Sequence, residues 1–355
     1  MKKLIILGLI VLFYVQTNLF ATVKNQSVFI QLASLETIPI KRPELSNRLP
    51  IKRPTQPLLS LRLNNQDYEY FDYALKSANK WQWHKVKKTK EKIKNVEAKQ
   101  ILDWIRYYNG ADDLTFTDYK HFIKGNSYWP LLASVKLKAE EKISFSDDHN
   151  SLLDYFGQES PKTGWGKIYY GNSLIQNNDV EKGIEFIKEG YIYGNFSRSE
   201  QNTIIKKFRS FFDQEDHKKR ISNLLWNGKY RTAKSLIKYV NKDYKKLFEA
   251  RIALISFSGG VDNLISIVPD YLKKDPGLQH DRLKWRIKKG KDDSALKLML
   301  EVNRNNSFNL ERPDKFWKLK KSIIRELINK HEYRTAYKLS INHGLSSNAD
   351  IASAE

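Results

Sequence analysis

Four tight turns of one form constrain the fold more than any other feature of this sequence. In each, a turn residue is followed five positions later by a small residue, and two of the four copies share the string Tyr-Arg-Thr-Ala. The four pairs are Gly228 and Ala233, Gly290 and Ala295, His331 and Ala336, and Asn178 and Gly183. A residue in the left-handed conformation ends a helix, and the small residue lets the next helix pack closely on the first. The pattern predicts helical hairpins, the unit of an α-solenoid, and their irregular spacing favours a degenerate, curved superhelix.

Apolar residues recur at helical spacing through most of the chain. Leu102 and Ile105 share one face of a helix. The segment 221–240 contains two apolar stripes separated by a turn, and the segment 317–339 contains an apolar stripe that ends at a break near His331. From about Tyr68 onward, alternation at strand lengths is rare and β-turn dipeptides between β-branched runs are absent. The chain is therefore predicted to be all-α.

The N-terminus has the composition of a secretory signal. Lys2 and Lys3 precede an apolar run over 4–15, and Leu19 and Ala21 suit the −3 and −1 positions of a signal-peptidase site. This order predicts a signal peptide at 1–21, cleavage after about Ala21 and export to the periplasm. Because a bilayer span needs about 20 residues, the short run favours cleavage and leaves no integral membrane span afterwards. An uncleaved N-terminal anchor is the alternative.

Two further segments follow the signal. Residues 22–63 are predicted to be an extended, basic, Pro-rich linker, since the string at 39–43 recurs at 50–54 and proline disfavours helix. Residues 64–355 are predicted to form the α-superhelical solenoid.

The net charge of +22 points to an anionic partner. Export argues against nucleic acid, and peptidoglycan, with its peptide carboxylates, is the anionic polymer that suits the periplasm. The excess of Lys, Asn and Ile is also what an AT-rich coding sequence produces, so both readings of the charge stay open. With no Cys in the chain, a disulfide, a lipid-modified N-terminus and a zinc–thiolate site are excluded.

Candidate chemistry is sparse. Gln158-Glu159-Ser160 matches the string around the catalytic glutamic acid of lysozyme-like transglycosylase domains, but no Gly-Leu-Met-Gln segment follows it, and Glu159 is interpreted as a loop carboxylate. Three groups of acidic residues are interpreted as helix starts, where the helix dipole favours negative charge. They are Asp213, Glu215 and Asp216 near His217, the pair Asp112-Asp113, and the run Asp147-Asp148-His149. Phosphate-binding loops and nucleophile elbows are missing from the sequence. No residue is assigned a catalytic, cofactor-binding or metal-ligating role.

Several strings, in order and spacing, resemble the helical region of soluble lytic murein transglycosylases, especially their α-proteobacterial branch. They are Ile101-Leu102-Asp103-Trp104, Trp129-Pro130, the segment from Phe212 to Tyr230, Glu249 to Leu254, Asp275-Pro276-Gly277-Leu278, Arg282 to Arg286, Lys289 to Asp293, Ala336 to Leu339 and His343-Gly344-Leu345. The resemblance covers most of the chain from about residue 68.

This resemblance implies a right-handed, U-shaped or ring-like superhelix that holds a catalytic domain and threads glycan strands toward it. The complete enzymes cleave between N-acetylmuramic acid and N-acetylglucosamine, form a 1,6-anhydro product and need no metal or cofactor. The sequence departs from the family by ending at Glu355, before the last solenoid helices and the lysozyme-like domain. We expect Arg251, Arg282 and Arg286 to line a basic concave surface, and Trp226 and Trp285 to fill space between stacked hairpins.

The prediction is thus an exported scaffold that is inactive alone or is one half of an enzyme completed by a separately encoded catalytic chain. An apolar end near residues 345–355 would receive that partner or limit solubility. The alternatives are a periplasmic helical-repeat adaptor for peptidoglycan or protein partners, a weak active site around Glu159, and a nucleic-acid-binding solenoid.

Overall fold

A computed structural model describes residues 63–157, 159–304, 311–341 and 345. Within these ranges the chain forms α-helices, three short 3₁₀ turns and no strands, so the all-α prediction is confirmed. The chain divides after Lys142 into two units. The predicted signal, the linker up to residue 62, Gln158 and nearly all of the predicted apolar end lie outside the described residues. None of the described helices is both long and apolar enough to cross a membrane.

The first unit contains five helices. They are α1 (Asn65–Ala78), α2 (Trp83–Lys90), α3 (Val96–Asn109), α4 (Phe116–Gly125) and α5 (Leu132–Glu141). The second unit contains the rest. These are α6 (His149–Phe156), α7 (Gly164–Gln176), α8 (Val180–Tyr193), α9 (Arg198–Lys207), α10 (Gln214–Trp226), α11 (Tyr230–Lys234), α12 (Lys242–Ile255), α13 (Val261–Ser266), α14 (Pro276–Lys288), α15 (Asp292–Arg304), α16 (Pro313–Asn329) and α17 (Tyr333–Ser340).

All four predicted turns are present. The turn residues have positive φ angles of 65° at Asn178, 72° at Gly228, 64° at Gly290 and 62° at His331. In each, the amide of the next residue donates back to a carbonyl in the last turn of the preceding helix, as in the Glu332 N to Leu327 O bond of 2.8 Å. The small residues five positions on, Ala233, Ala295 and Ala336, are buried, as is Gly183.

The hairpin of α7 and α8 packs backbone against backbone. Glycines spaced seven residues apart face each other, Gly164 and Gly171 on α7 against Gly183 and Gly190 on α8. A Cβ on Gly171 would lie 2.5 Å from the Gly183 carbonyl oxygen, and a Cβ on Gly183 would lie 2.6 Å from the Gly171 oxygen. Real side chains do not approach that closely, so only glycine permits this separation of the helices.

Helix starts in the second unit follow capping chemistry visible in the sequence. Asp213 caps α10, where its side chain accepts from the Asp216 amide while Asp216 accepts from the Asp213 amide. Asp148 caps α6 by accepting from the Ser151 amide. These carboxylates lie at helix starts, as predicted.

Candidate functional site: a polar cleft in the first unit

Helices α2, α3 and α4 border a cleft of about 510 Å³ in the first unit. Its lining is mostly polar and charged. The lining residues are Lys87, Lys90, Gln100, Asp103, Arg106, Tyr107, Asp113, Leu114, Asp118, His121, Phe122 and Asn126. A concave site with a few fixed polar groups is the usual form of a ligand site, so this cleft is the candidate site.

An alternating chain of cations and carboxylates lines the cleft. The Lys90 Nζ lies 2.6 Å from Asp103, and the guanidinium of Arg106 lies 3.7 Å from Asp103 and 2.6 Å from Asp113. Asp103 and Arg106 are neighbours because they are three residues apart on α3. Arg106 is only 6% exposed, so burial holds its guanidinium in place between the two carboxylates.

Aromatic side chains supply an apolar part of the lining. The rings of Tyr107 and Phe122 stack with centroids 4.0 Å apart, and Tyr119 meets Tyr107 edge to face. Burial, and then the negative charge of Asp118, raises the pKa of Tyr107 to about 12. The Tyr107 hydroxyl is therefore neutral at physiological pH and able both to donate and to accept hydrogen bonds.

Three polar side chains of the cleft are exposed, and one of them, His121, acts electrostatically on Asp118. Lys87, Gln100 and His121 make no hydrogen bond or ion pair with another described side chain. Nearby, hydrogen bonds from the side chain and then the backbone of Thr115 lower the pKa of Asp118, which stays ionised. The cleft thus offers charged donors, an amide and a carboxylate acceptor around an aromatic patch.

The sequence did not point to this cleft. The pair Asp112-Asp113 was interpreted as a helix start, and this is wrong for Asp113, which pairs with Arg106, whereas Thr115 and Asp118 cap α4. The usable signal was the spacing of Asp103 and Arg106 on one face of a helix. That spacing does not show that Asp113 forms an ion pair with Arg106.

The basic concave surface predicted for three arginines is also corrected. Arg251 is fully buried, and its guanidinium pairs with Asp281 at 2.9 Å and Asp275 at 3.7 Å, because an unpaired charge inside the protein would be costly. Arg282 is partly buried, which lowers its pKa, and Arg286 donates to the Ser294 carbonyl.

Trp226 and Trp285 fill space between helices, as predicted. Trp226 is 6% exposed, and its ring lies 4.9 Å from the His280 ring and 6.2 Å from the Phe316 ring. Trp285 packs, partly buried, against the main core of the second unit. Their role in the structure is packing.

The remaining sequence candidates do not form a site together. Glu159 is exposed in the loop between α6 and α7. His217 is buried, with its Nδ1 2.8 Å from the Tyr191 hydroxyl, and burial lowers the pKa of its imidazole. No group of three or more His, Asp or Glu side chains within the described ranges is arranged to hold a metal ion.

No family model matches the chain, and neither does any curated protein sequence. Two solved structures are similar to it, the 70 kDa soluble lytic transglycosylase from Escherichia coli and the complex of the 70-kDa soluble lytic transglycosylase with bulgecin A. Each is 10% identical to this chain with a TM-score of 0.34, and the match covers 80% of this chain. The chain spans 66% of the length of these proteins.

Proposed function

We propose that this chain is an exported helical scaffold that binds peptidoglycan strands without cleaving them, of the kind that soluble lytic murein transglycosylases contain. The observation that carries the proposal is the cleft, where fixed ionic groups surround the Tyr107–Phe122 pair. The sequence resemblance to that family and the signal-like N-terminus support the same reading.

The chemistry of the cleft matches a glycan that carries peptides. Sugar hydroxyls and N-acetyl groups need both donors and acceptors, which Gln100 and Asp118 supply. The apolar faces of sugar rings suit an aromatic lining such as Tyr107 and Phe122. Peptide carboxylates find an exposed cation in Lys87 and a hydrogen-bonding imidazole in His121.

Binding without cleavage is supported by the state of the carboxyl groups. Glycoside cleavage requires a carboxylic acid that stays protonated because an apolar pocket raises its pKa. Five described carboxyl groups have a pKa below the ordinary value and are ionised at neutral pH. They are Asp118, Glu200, Asp213, Asp270 and Asp314. A separately encoded catalytic chain would supply the cleavage, and no cofactor is required.

Co-sedimentation with purified sacculi tests the proposal. The chain is expected to pellet with sacculi, and Lys87→Ala combined with His121→Ala is expected to reduce binding about tenfold, since an exposed charge or hydrogen bond contributes on the order of 1 kcal/mol. The control, Lys182→Ala with Gln176→Ala, changes exposed residues of the second unit and should bind normally.

Muropeptide release, measured in the same samples, separates scaffold from enzyme. We expect no release by the chain and no effect of Glu159→Gln. Equal binding by the cleft variant and the control would reject the cleft, whereas release that Glu159→Gln abolishes would reject the scaffold.

A further inference from the structure

A lysine-rich surface follows α1 in the first unit. Between residues 80 and 94 the sequence has seven Lys and one acidic residue, Glu91. The exposed lysines of this stretch that lie outside the cleft, Lys80, Lys88, Lys92 and Lys94, define the lysine ridge. Among the described residues only Lys90 of the stretch forms an ion pair, with Asp103. The ridge therefore presents positive charge that the fold does not neutralise.

An exposed tryptophan, Trp81, directly follows Lys80 of the ridge in the chain. Trp81 is 60% exposed and has a φ of 61°, a conformation that is rare for a bulky side chain. The Gln82 amide donates to the Ser77 carbonyl at 3.0 Å and fixes the turn, while the Trp81 ring meets the buried Trp83 edge to face at 5.6 Å. The fold thus holds a large apolar ring in solvent at an energetic cost.

We infer that the lysine ridge and Trp81 form a docking surface for an anionic phospholipid bilayer. Lysines near such a leaflet are attracted to its negative surface potential, and tryptophan favours the boundary between headgroups and acyl chains. A soluble polyanion would use the lysines but offers no apolar boundary for the ring, so the exposed Trp81 favours the bilayer. This inference goes beyond the proposed function and does not depend on the cleft.

Vesicle co-sedimentation tests the ridge. The probe is vesicles of 30% phosphatidylglycerol in phosphatidylcholine, with pure phosphatidylcholine as the uncharged reference. The ridge variant replaces Lys80, Lys88, Lys92 and Lys94 by Gln and spares Lys87 and Lys90, which line the cleft. The control variant replaces Lys182, Lys206, Lys234 and Lys288, exposed lysines of the second unit, by Gln and has the same net charge.

The ridge variant is expected to lose at least about 25-fold in affinity for the anionic vesicles. Each lysine near an anionic leaflet contributes about fivefold, so loss of two in contact already gives this effect. The control is expected to lose less than about threefold. Equal losses would mean that only total charge matters, and would overturn the inference, as would unchanged binding of both variants.

Trp81→Asn distinguishes a bilayer from a soluble polyanion. Asparagine tolerates the positive φ, so the turn is retained. The variant is expected to bind the vesicles at least about fivefold more weakly, to lose part of the tryptophan quenching caused by brominated acyl chains, and to bind poly-L-glutamate as the unsubstituted chain does. Equal weakening toward both ligands, or no weakening toward vesicles, would contradict bilayer docking. Sacculus binding should not change, which separates this test from that of the cleft.

Discussion

Arg220 and Arg251 are both fully buried, but their charges are compensated in different ways. Arg251, on α12, pairs with the carboxylates of Asp281 and Asp275. Arg220, on α10, contacts no carboxylate within the described residues. It donates to the Gly194 carbonyl at 2.5 Å and, at 3.3 Å, to the Ile192 carbonyl and the side chain of Gln201.

The difference follows from the polar groups that surround each guanidinium. Arg220 lies at the C-terminal end of α8, where unsatisfied carbonyls and the helix dipole provide partial negative charge. Burial lowers the pKa of Arg220 to about 10, so these dipoles compensate the charge less fully than carboxylates do. For Arg251, burial also acts to lower the pKa, but Asp281 and Asp275 outweigh it and the pKa is raised. In this molecule the two carboxylates therefore offset the burial of Arg251 more fully than the helix end offsets that of Arg220.

The largest effect on stability is expected from removing the carboxylate of Asp281. Asp281→Asn keeps the shape of the side chain but leaves Asp275, which is more distant, as the carboxylate partner of Arg251. We expect the free energy of unfolding of the second unit to fall by about 3–5 kcal/mol, as when one partner of a buried pair is removed. Urea unfolding followed by far-UV circular dichroism measures the change.

Two variants test whether charge is the cause. Asp270→Asn, which removes an exposed partner of Lys273, should leave the urea midpoint nearly unchanged. Combining Asp281→Leu with Arg251→Met removes both charges and should recover most of the loss. If the double variant is as unstable as Asp281→Asn, then packing rather than pairing dominates at this position.

The second prediction concerns the cation held by carbonyls. Arg220→Lys keeps the charge, but a single ammonium does not reach the Ile192 and Gly194 carbonyls and Gln201 together. We expect a loss of about 2–3 kcal/mol, because buried acceptors lose their donors. Arg209→Lys, at an exposed position, should change stability by less than about 0.5 kcal/mol. Equal effects of the two substitutions would show that Arg220 needs only its charge.

The hairpins were predictable from sequence because their causes are local. A turn residue, a small residue five positions later and an apolar stripe are sufficient to predict the turns at Asn178, Gly228, Gly290 and His331. The turn at Trp81 was missed, since tryptophan is not a residue expected at positive φ and Val86 follows five positions later in place of a small residue.

The buried ions and the cleft were not predictable in the same way. An arginine on an amphipathic helix was expected to face outward, and the sequence does not show that Asp281, thirty residues away, meets Arg251. Gly277 belongs to this cluster because a Cβ there would collide with the Arg251 guanidinium. The cleft likewise depends on the ion pair between Asp113 and Arg106 of α3. Contacts between helices of this kind depend on packing rather than on local pattern.

The smallest expected effect concerns another buried cation, Lys320. It is 2% exposed and donates to the Asn303 side chain at 2.8 Å. Burial lowers its pKa to about 8, whereas an unfolded lysine has a pKa of about 10.4. Between these values the unfolded state binds more protons, so the cost of burying the charge is full below about pH 8 and disappears toward about pH 10. Lys320→Met should therefore gain stability relative to the unsubstituted chain at pH 7, and this difference should shrink by about 2 kcal/mol by pH 10. Urea unfolding at both pH values, with the exposed Lys318→Met as control, measures it. A difference independent of pH would show that Lys320 is not held as a costly buried charge.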